Sequence, residues 1–179
     1  MSLEKIHADP DRLVAELRRR RQAGERIVFA NGCFELLHVG HVRFLAGARE
    51  LGDLLIVAVN TDVSMRIIKP DRRPVNPDYE RMELIAAFEC VDYVVPLREV
   101  TPHRLIELYR PDVHTKGTDY TLDRIPERET VERYGGRVAL VGDPKSHSTT
   151  EMLRRLREGC APAPAAASGE ELPITGSSR

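Results

Sequence analysis

The run Leu54-Leu55-Ile56-Val57-Ala58-Val59 is apolar at every position, so a strand made from it must be covered on both faces. Strands with one wet face alternate polar and apolar residues; this run does not, and neither does Ile27-Val28-Phe29. After the first such run, Val42, Leu45, Ala48 and Leu51 recur at helical spacing, and after the second Met82, Ile85 and Ala86 do the same. Further short strands are read at Tyr93-Val94-Val95-Pro96, Val113-His114-Thr115 and Arg137-Val138-Ala139-Leu140-Val141. Helices fall between them: Thr61-Asp62 to Ile68, from Pro77-Asp78, after Thr101-Pro102, Pro126 to Tyr134, and a last one from Ser148-Thr149-Thr150-Glu151 to about Glu158. Such alternation predicts a doubly wound α/β fold, a five-stranded parallel sheet with right-handed crossovers and helices on both faces. Ligands of such sheets bind beyond the carboxyl ends of the strands, where the strand order switches.

Asp9 and Pro10 start an amino-terminal helix that should end near Ala23-Gly24, with Leu13, Val14 and Leu17 packed on the side of the sheet or on a partner. Residues 1–24 and the α/β core of 25–158 thus make one domain, the size that 179 residues allow. From Gly159 the chain turns to Ala, Pro, Ser and Gly, too little apolar surface to offset ordering entropy, so 159–179 is expected to be disordered. Charged residues are 31% of the chain but the net charge is −1, so no global field calls for nucleic acid or a membrane surface. Arg18 to Arg21 fit the solvated face of a helix. Cys33, Cys90 and Cys160 form no disulfide framework, and no signal peptide or spanning segment is evident, which predicts a cytoplasmic protein.

Between the first strand and its helix stands Ala30-Asn31-Gly32-Cys33-Phe34-Glu35-Leu36-Leu37-His38-Val39-Gly40-His41. At such a junction unpaired backbone N–H groups and the positive end of the helix dipole make a seat for phosphate. His38 and His41 can point to the same side across the first turn, while Gly32 and Gly40 let a bulky anion approach the backbone. Histidines at a helix start also serve as caps. With Cys33 they are zinc-ligand types, although no Cys-x-x-Cys pair supplies a fourth ligand. The segment is neither Gly-x-Gly-x-x-Gly nor a Walker loop, whose Lys is missing.

Asn31-Gly32-Cys33-Phe34-Glu35-Leu36-Leu37-His38-Val39-Gly40-His41 resembles the signature of the cytidylyltransferase-like nucleotidyltransferases, whose His-x-Gly-His pair binds nucleotide phosphates. The likeness runs from about Ile27 to Leu156. Asn31 to Phe34, Arg73-Pro74-Val75-Asn76-Pro77, Arg81, Lys116-Gly117-Thr118-Asp119-Tyr120 and Ser148-Thr149-Thr150 are most similar to the adenylyltransferase domain that makes ADP-heptose from heptose 1-phosphate and ATP. Glycerol-3-phosphate cytidylyltransferase is the near relative.

The resemblance implies a Rossmann-like fold and direct attack of a sugar phosphate on the α-phosphorus of ATP, with Mg2+ accompanying the nucleotide and no metal site made of side chains. It gives His38 and His41 the α- and β-phosphates, and Lys69 the triphosphate, clamped from a flexible loop; an ordinary solvated lysine is the other reading. Asn31, Gly32, Cys33, Phe34, Gly40 and Arg81 join the nucleotide site, and Lys116 with Gly117 meets a phosphate of either substrate. Asp119 goes to the ribose or the magnesium, or merely forms a turn. Ser148, Thr149 and Thr150 suit the β- and γ-phosphates, with capping as the alternative. Glu35, Asn60, Asp62 and Arg73 are assigned with Lys116 to the sugar phosphate. Glu35 stands where the family usually has Asp, the loop Asp143 to His147 departs from the family pattern, and the choice of base stays open. In the fused heptose enzyme a sugar kinase precedes this domain; the expectation here is a stand-alone form, a separate kinase, and a homodimer using the amino-terminal helix. A cytidylyltransferase for a polyol phosphate, or a nucleotide-binding module without turnover, are the rival readings.

Overall fold

The computed structural model describes residues 2–69, 74–143 and 149–159. Its centre is a five-stranded sheet, β1 (Ile27–Gly32), β2 (Leu54–Asn60), β3 (Tyr93–Leu97), β4 (Val113–Gly117) and β5 (Arg137–Val141). The strands lie in the order β3-β2-β1-β4-β5 and every pairing is parallel. The order reverses between β1 and β4, so a crevice opens at their carboxyl ends. Asn31 and Gly32 end the first of these strands, Lys116 and Gly117 the second.

Alternation along the strands divides the core in two. Ile27, Phe29, Leu54, Ile56 and Ala58 face α1 (Leu13–Gln22), α5 (His103–Tyr109) and α6 (Arg128–Glu132) through Leu13, Leu17, Leu105, Ile106, Tyr109 and Val131. Val28, Ala30, Leu55, Val57 and Val59 face α2 (Val39–Arg49) and α4 (Asp78–Ala86) through Leu45, Ala48, Ile85 and Ala86. Leu13 and Leu17 are therefore spent inside the chain, which removes the argument that the amino-terminal helix is held free for a second copy. The chain before that helix adds to the far edge: Ile6 bridges Val94 in parallel and the His7 N–H donates to the Val94 carbonyl.

Local signals decide the helix ends. Asp9 accepts a bond from the Asp11 N–H ahead of Pro10, and the Thr61 hydroxyl oxygen caps α3 (Asp62–Ile68) through the Ser64 N–H. Gly135, with φ +90°, takes the left-handed turn after α6 that admits β5. The compact unit ends at Thr149. Residues 150–159 carry nearly all of α7 (Thr149–Arg157), on which Glu151 pairs with Arg154 and Arg155. The tail from residue 160 lies outside the described residues. Among the described residues no helix is long and apolar enough to cross a membrane.

One polar side chain sits deep in this core. His114 on β4 is fully buried, its Nδ1 is 3.3 Å from the Phe29 carbonyl, and its Nε2 has no hydrogen-bond partner among the described residues. Burial above all, and then the nearby Lys116 charge, push its pKa down to about 3. The unfolded chain binds this proton near pH 6.5 and the folded chain does not, so stability present above pH 6.5 is lost as pH falls toward 3. Urea unfolding between pH 6.5 and 5 should show His114→Asn weakening the pH dependence by up to about 1.4 kcal/mol per pH unit. Parallel slopes in parent and variant would refute this account of His114.

Candidate active site

The loop after β1 is the place where the predicted residues meet. Phe34 turns it, with φ +47° in the left-handed region that residues with side chains seldom enter. The turn lays the Phe34 ring beneath Gly32, where a Cβ would stand 3.1 Å from the ring, and 5.3 Å between centroids from His41. Gly32 is therefore needed for close packing beneath the loop. His38, extended at φ −145°, is the cap residue of α2, and the N–H groups of Val39 and Gly40 in its first turn have no acceptor within the helix.

The two histidines stack, with centroids 3.9 Å apart and planes 23° from parallel. The His38 backbone N–H donates to His41 Nδ1 at 3.4 Å, so the proton of the neutral His41 ring is left on Nε2. Burial first, then His38 and the Lys69 charge, push the His41 pKa down to about 4. Near neutrality His41 is thus an uncharged donor of fixed tautomer at the positive end of a helix, suited to an anion's oxygen.

Two lysines flank this centre, each against a buried carboxylate. Lys69, which ends α3, places Nζ 3.9 Å from Glu35 Oε2, and neither Glu35 oxygen has a hydrogen-bond partner among the described residues. Lys116 donates to Asn31 Oδ1 at 3.0 Å and lies 3.3 Å from Glu127 Oε1, above the Tyr120 ring. The Asp119 carboxylate folds back over Gly117, where a Cβ would come within 2.7 Å of its Oδ1. The Thr149 hydroxyl donates to the Leu36 carbonyl at 3.3 Å, joining the end of the compact unit to the same loop. Arg73 and Ser148 lie outside the described residues, as does the side chain of Thr150.

Three residues assigned from the sequence to ligands, Arg81, Asn60 and Asp62, make polar contacts within the protein. Arg81 is fully buried: its guanidinium donates to the carbonyls of Cys33 and Asn76 and to Asp62 Oδ1, the last at 2.8 Å. Asn60 is buried and donates to the Ser64 hydroxyl at 3.2 Å, while its Oδ1 stands 3.9 Å from Cys33 Sγ. Asp62 holds Arg81, and the Glu35 carboxylate points inward to Lys69. Arg81, Asn60 and Asp62 brace the loop that carries the histidines, whereas neither Glu35 oxygen makes a hydrogen bond among the described residues. Burial raises the Cys33 thiol, which leaves it protonated. Glu127 went unnoticed because an acid just after Pro126 reads as an ordinary helix-start charge. Among the described residues no three His, Cys, Asp or Glu side chains cluster to hold a metal ion.

The sequence model of the cytidylyltransferase-like family matches residues 29–157. The bifunctional protein HldE of Geotalea uraniireducens is 48% identical over 149 residues, 83% of this chain and 30% of that one. The bifunctional protein HldE of Geobacter sulfurreducens is 48% identical over 146 residues, again with 30% of its length covered. The chain spans less than a third of these relatives. Among solved structures, the lipopolysaccharide core biosynthesis protein of Thermoplasma volcanium superposes with TM-score 0.59 at 25% identity, over 68% of this chain and all of that one.

The bracing role of Arg81 has a thermodynamic signature. Arg81→Met would leave Asp62 and two carbonyls without their buried donor, and should cost about 3–5 kcal/mol in urea unfolding. A loss below about 1 kcal/mol, the size of an exposed ion pair, would contradict it.

Proposed function

The chain belongs to the cytidylyltransferase-like family of nucleotidyltransferases, and on that footing we propose that it moves AMP from ATP to a heptose 1-phosphate, releasing pyrophosphate. The observation that carries the reading is the His38–His41 stack at the start of α2, with Lys69 at the end of α3 and Lys116 at the carboxyl end of β4. In support of the heptose substrate stand the likeness of Lys116 to Tyr120 and Asn31 to Phe34 to the ADP-heptose-forming domain, the HldE relatives, and the lipopolysaccharide core neighbour.

In the proposed reaction a phosphate oxygen of the sugar attacks the α-phosphorus of ATP. A new P–O bond forms as the bond to the β-phosphate oxygen breaks, and pyrophosphate leaves in line. No side-chain nucleophile is required; positioning and charge stabilisation suffice. His41 Nε2–H would donate to the α-phosphate as charge grows there, Lys69 would neutralise the outer phosphates, and Lys116 would hold the sugar phosphate. Magnesium would arrive with ATP, bound mainly by phosphate oxygens and water, and would neutralise the triphosphate. A separate kinase would supply the sugar phosphate. A cytoplasmic location and a homodimer belong to the same proposal.

Two measurements check it. His41→Ala should lower turnover by roughly 10²–10³ while ATP binding weakens less, as for other preorganised donors; turnover within a few-fold of the parent would remove His41 from the mechanism. In a pyrophosphate-release panel, heptose 1-phosphate with ATP should exceed glycerol 3-phosphate with CTP by at least about a hundredfold in kcat/KM, since sites that bond substrate hydroxyls reject compounds lacking them. The reverse preference would overturn the substrate and leave nucleotidyl transfer standing.

A further inference from the structure

We propose that Glu127 is a positioning residue for the reaction: it fixes the Lys116 ammonium, charged and aimed, at the seam between β1 and β4 where a substrate phosphate is received. The inference rests on the transfer reading above for what Lys116 does, but not for how Lys116 is held.

Lys116 is 8% exposed and Glu127 4%. The lysine comes from the carboxyl end of β4 and the glutamate from the approach to α6, so the pair ties together two elements with no local reason to meet. As a device for stability alone it is poor. Two charges lose their hydration, and Glu127 Oε2 is buried with no hydrogen-bond partner among the described residues. A well-packed apolar pair would hold the same two elements at no such cost. What the carboxylate does supply is a counter-charge 3.3 Å from Nζ, while Asn31 Oδ1 at 3.0 Å fixes the direction of a second N–H. With two donors so engaged, the third N–H of the ammonium is the one left for an incoming anion.

The groups facing Lys116 from each side show why that counter-charge matters. β1 offers the neutral amide of Asn31, the loop after β4 offers the Tyr120 ring at 5.6 Å and the Asp119 carboxylate folded over Gly117, and β4 itself carries the buried His114. Burial lowers the Lys116 pKa, and Glu127 opposes that effect by charge and by hydrogen bond. Without the carboxylate the ammonium would give up its proton more readily and lose its hold on phosphate as pH rises.

The test pairs a readout that needs no activity with one that does. NMR titration of the protein with ¹³C-labelled lysine side chains should show Lys116 losing its proton at least about one pH unit lower in Glu127→Gln than in the parent. Pyrophosphate release with ATP and heptose 1-phosphate should show the alkaline limb of kcat/KM shifted down by a similar amount, about tenfold in rate on that limb. Glu127→Asp, which keeps the carboxylate, should restore most of both. Lys116→Arg, whose guanidinium does not titrate in this range, should abolish the limb and so assigns it to Lys116, and Glu127→Met, of similar volume and uncharged, takes the place of Glu127→Gln if that variant does not fold. An unmoved lysine titration overturns the proposal, as does an unmoved limb in an active enzyme, or a limb that survives Lys116→Arg. If the parent releases no pyrophosphate from any nucleotide and sugar phosphate, the transfer reading fails, and the lysine titration still decides whether Glu127 holds Lys116.

Discussion

Arg81 holds the site together. Three stretches distant in sequence converge beneath the crevice: the loop after β1, the start of α3, and the chain entering α4. Each brings a polar group to the buried guanidinium, which serves all three through Cys33, Asp62 and Asn76. A planar fork with donors in fixed directions can do this; an ammonium on a flexible stem cannot hold the same three directions at once. The buried charge is tolerable because Asp62 answers it and the carbonyls complete its bonding. With the loop pinned, Phe34 can keep its left-handed turn and His38 its place at the head of α2.

What was readable in the sequence was whatever is decided locally. β2 spans Leu54–Asn60, as its apolar run gave, because a strand buried on both faces declares itself without reference to neighbours; β5 spans Arg137–Val141, as read from the sequence, although it is only partly buried and Leu140 is exposed. The Asp9 and Thr61 caps and the start of α4 after Pro77 were legible for the same reason, as side chain and backbone lie within one turn. The crevice followed from topology alone, since alternating strands and helices bring every strand's carboxyl end to one edge.

Partnership was not readable, and the site shows why. An amphipathic stripe such as Leu13 and Leu17 states that a surface is buried and leaves open by what; here its own sheet covers it. Polar residues at strand ends state that they lie near the crevice, but whether they face it depends on which loop returns beneath them. Arg81 arrives through α4 and takes up Asp62, and Ser64 takes up Asn60 from one turn into α3. Residue type and spacing carry no trace of those returns. Ile6 against Val94 is a single bridge, too short to have any period at all.

Among the described residues, each lysine of the crevice rests near a carboxylate. Lys69 rests near Glu35 and Lys116 against Glu127, while the His41 pKa is pushed down by burial first, then by His38 and Lys69. Two rings 3.9 Å apart cannot both carry charge cheaply in so dry a place. In the proposed reaction a polyphosphate would bring negative charge for the helix start, the imidazole N–H and the lysines to share. Glu35 and Lys69 are 3.9 Å apart and, among the described residues, neither carboxylate oxygen makes a hydrogen bond, a loose contact that a phosphate can outbid. Lys116 is held by two short contacts from separate elements, so it keeps its position as ligands come and go. In the proposed transfer, the cation at Lys69 would move with the triphosphate while Lys116 stays with the sheet, a division that suits an in-line displacement with a held acceptor on one side and a departing group on the other.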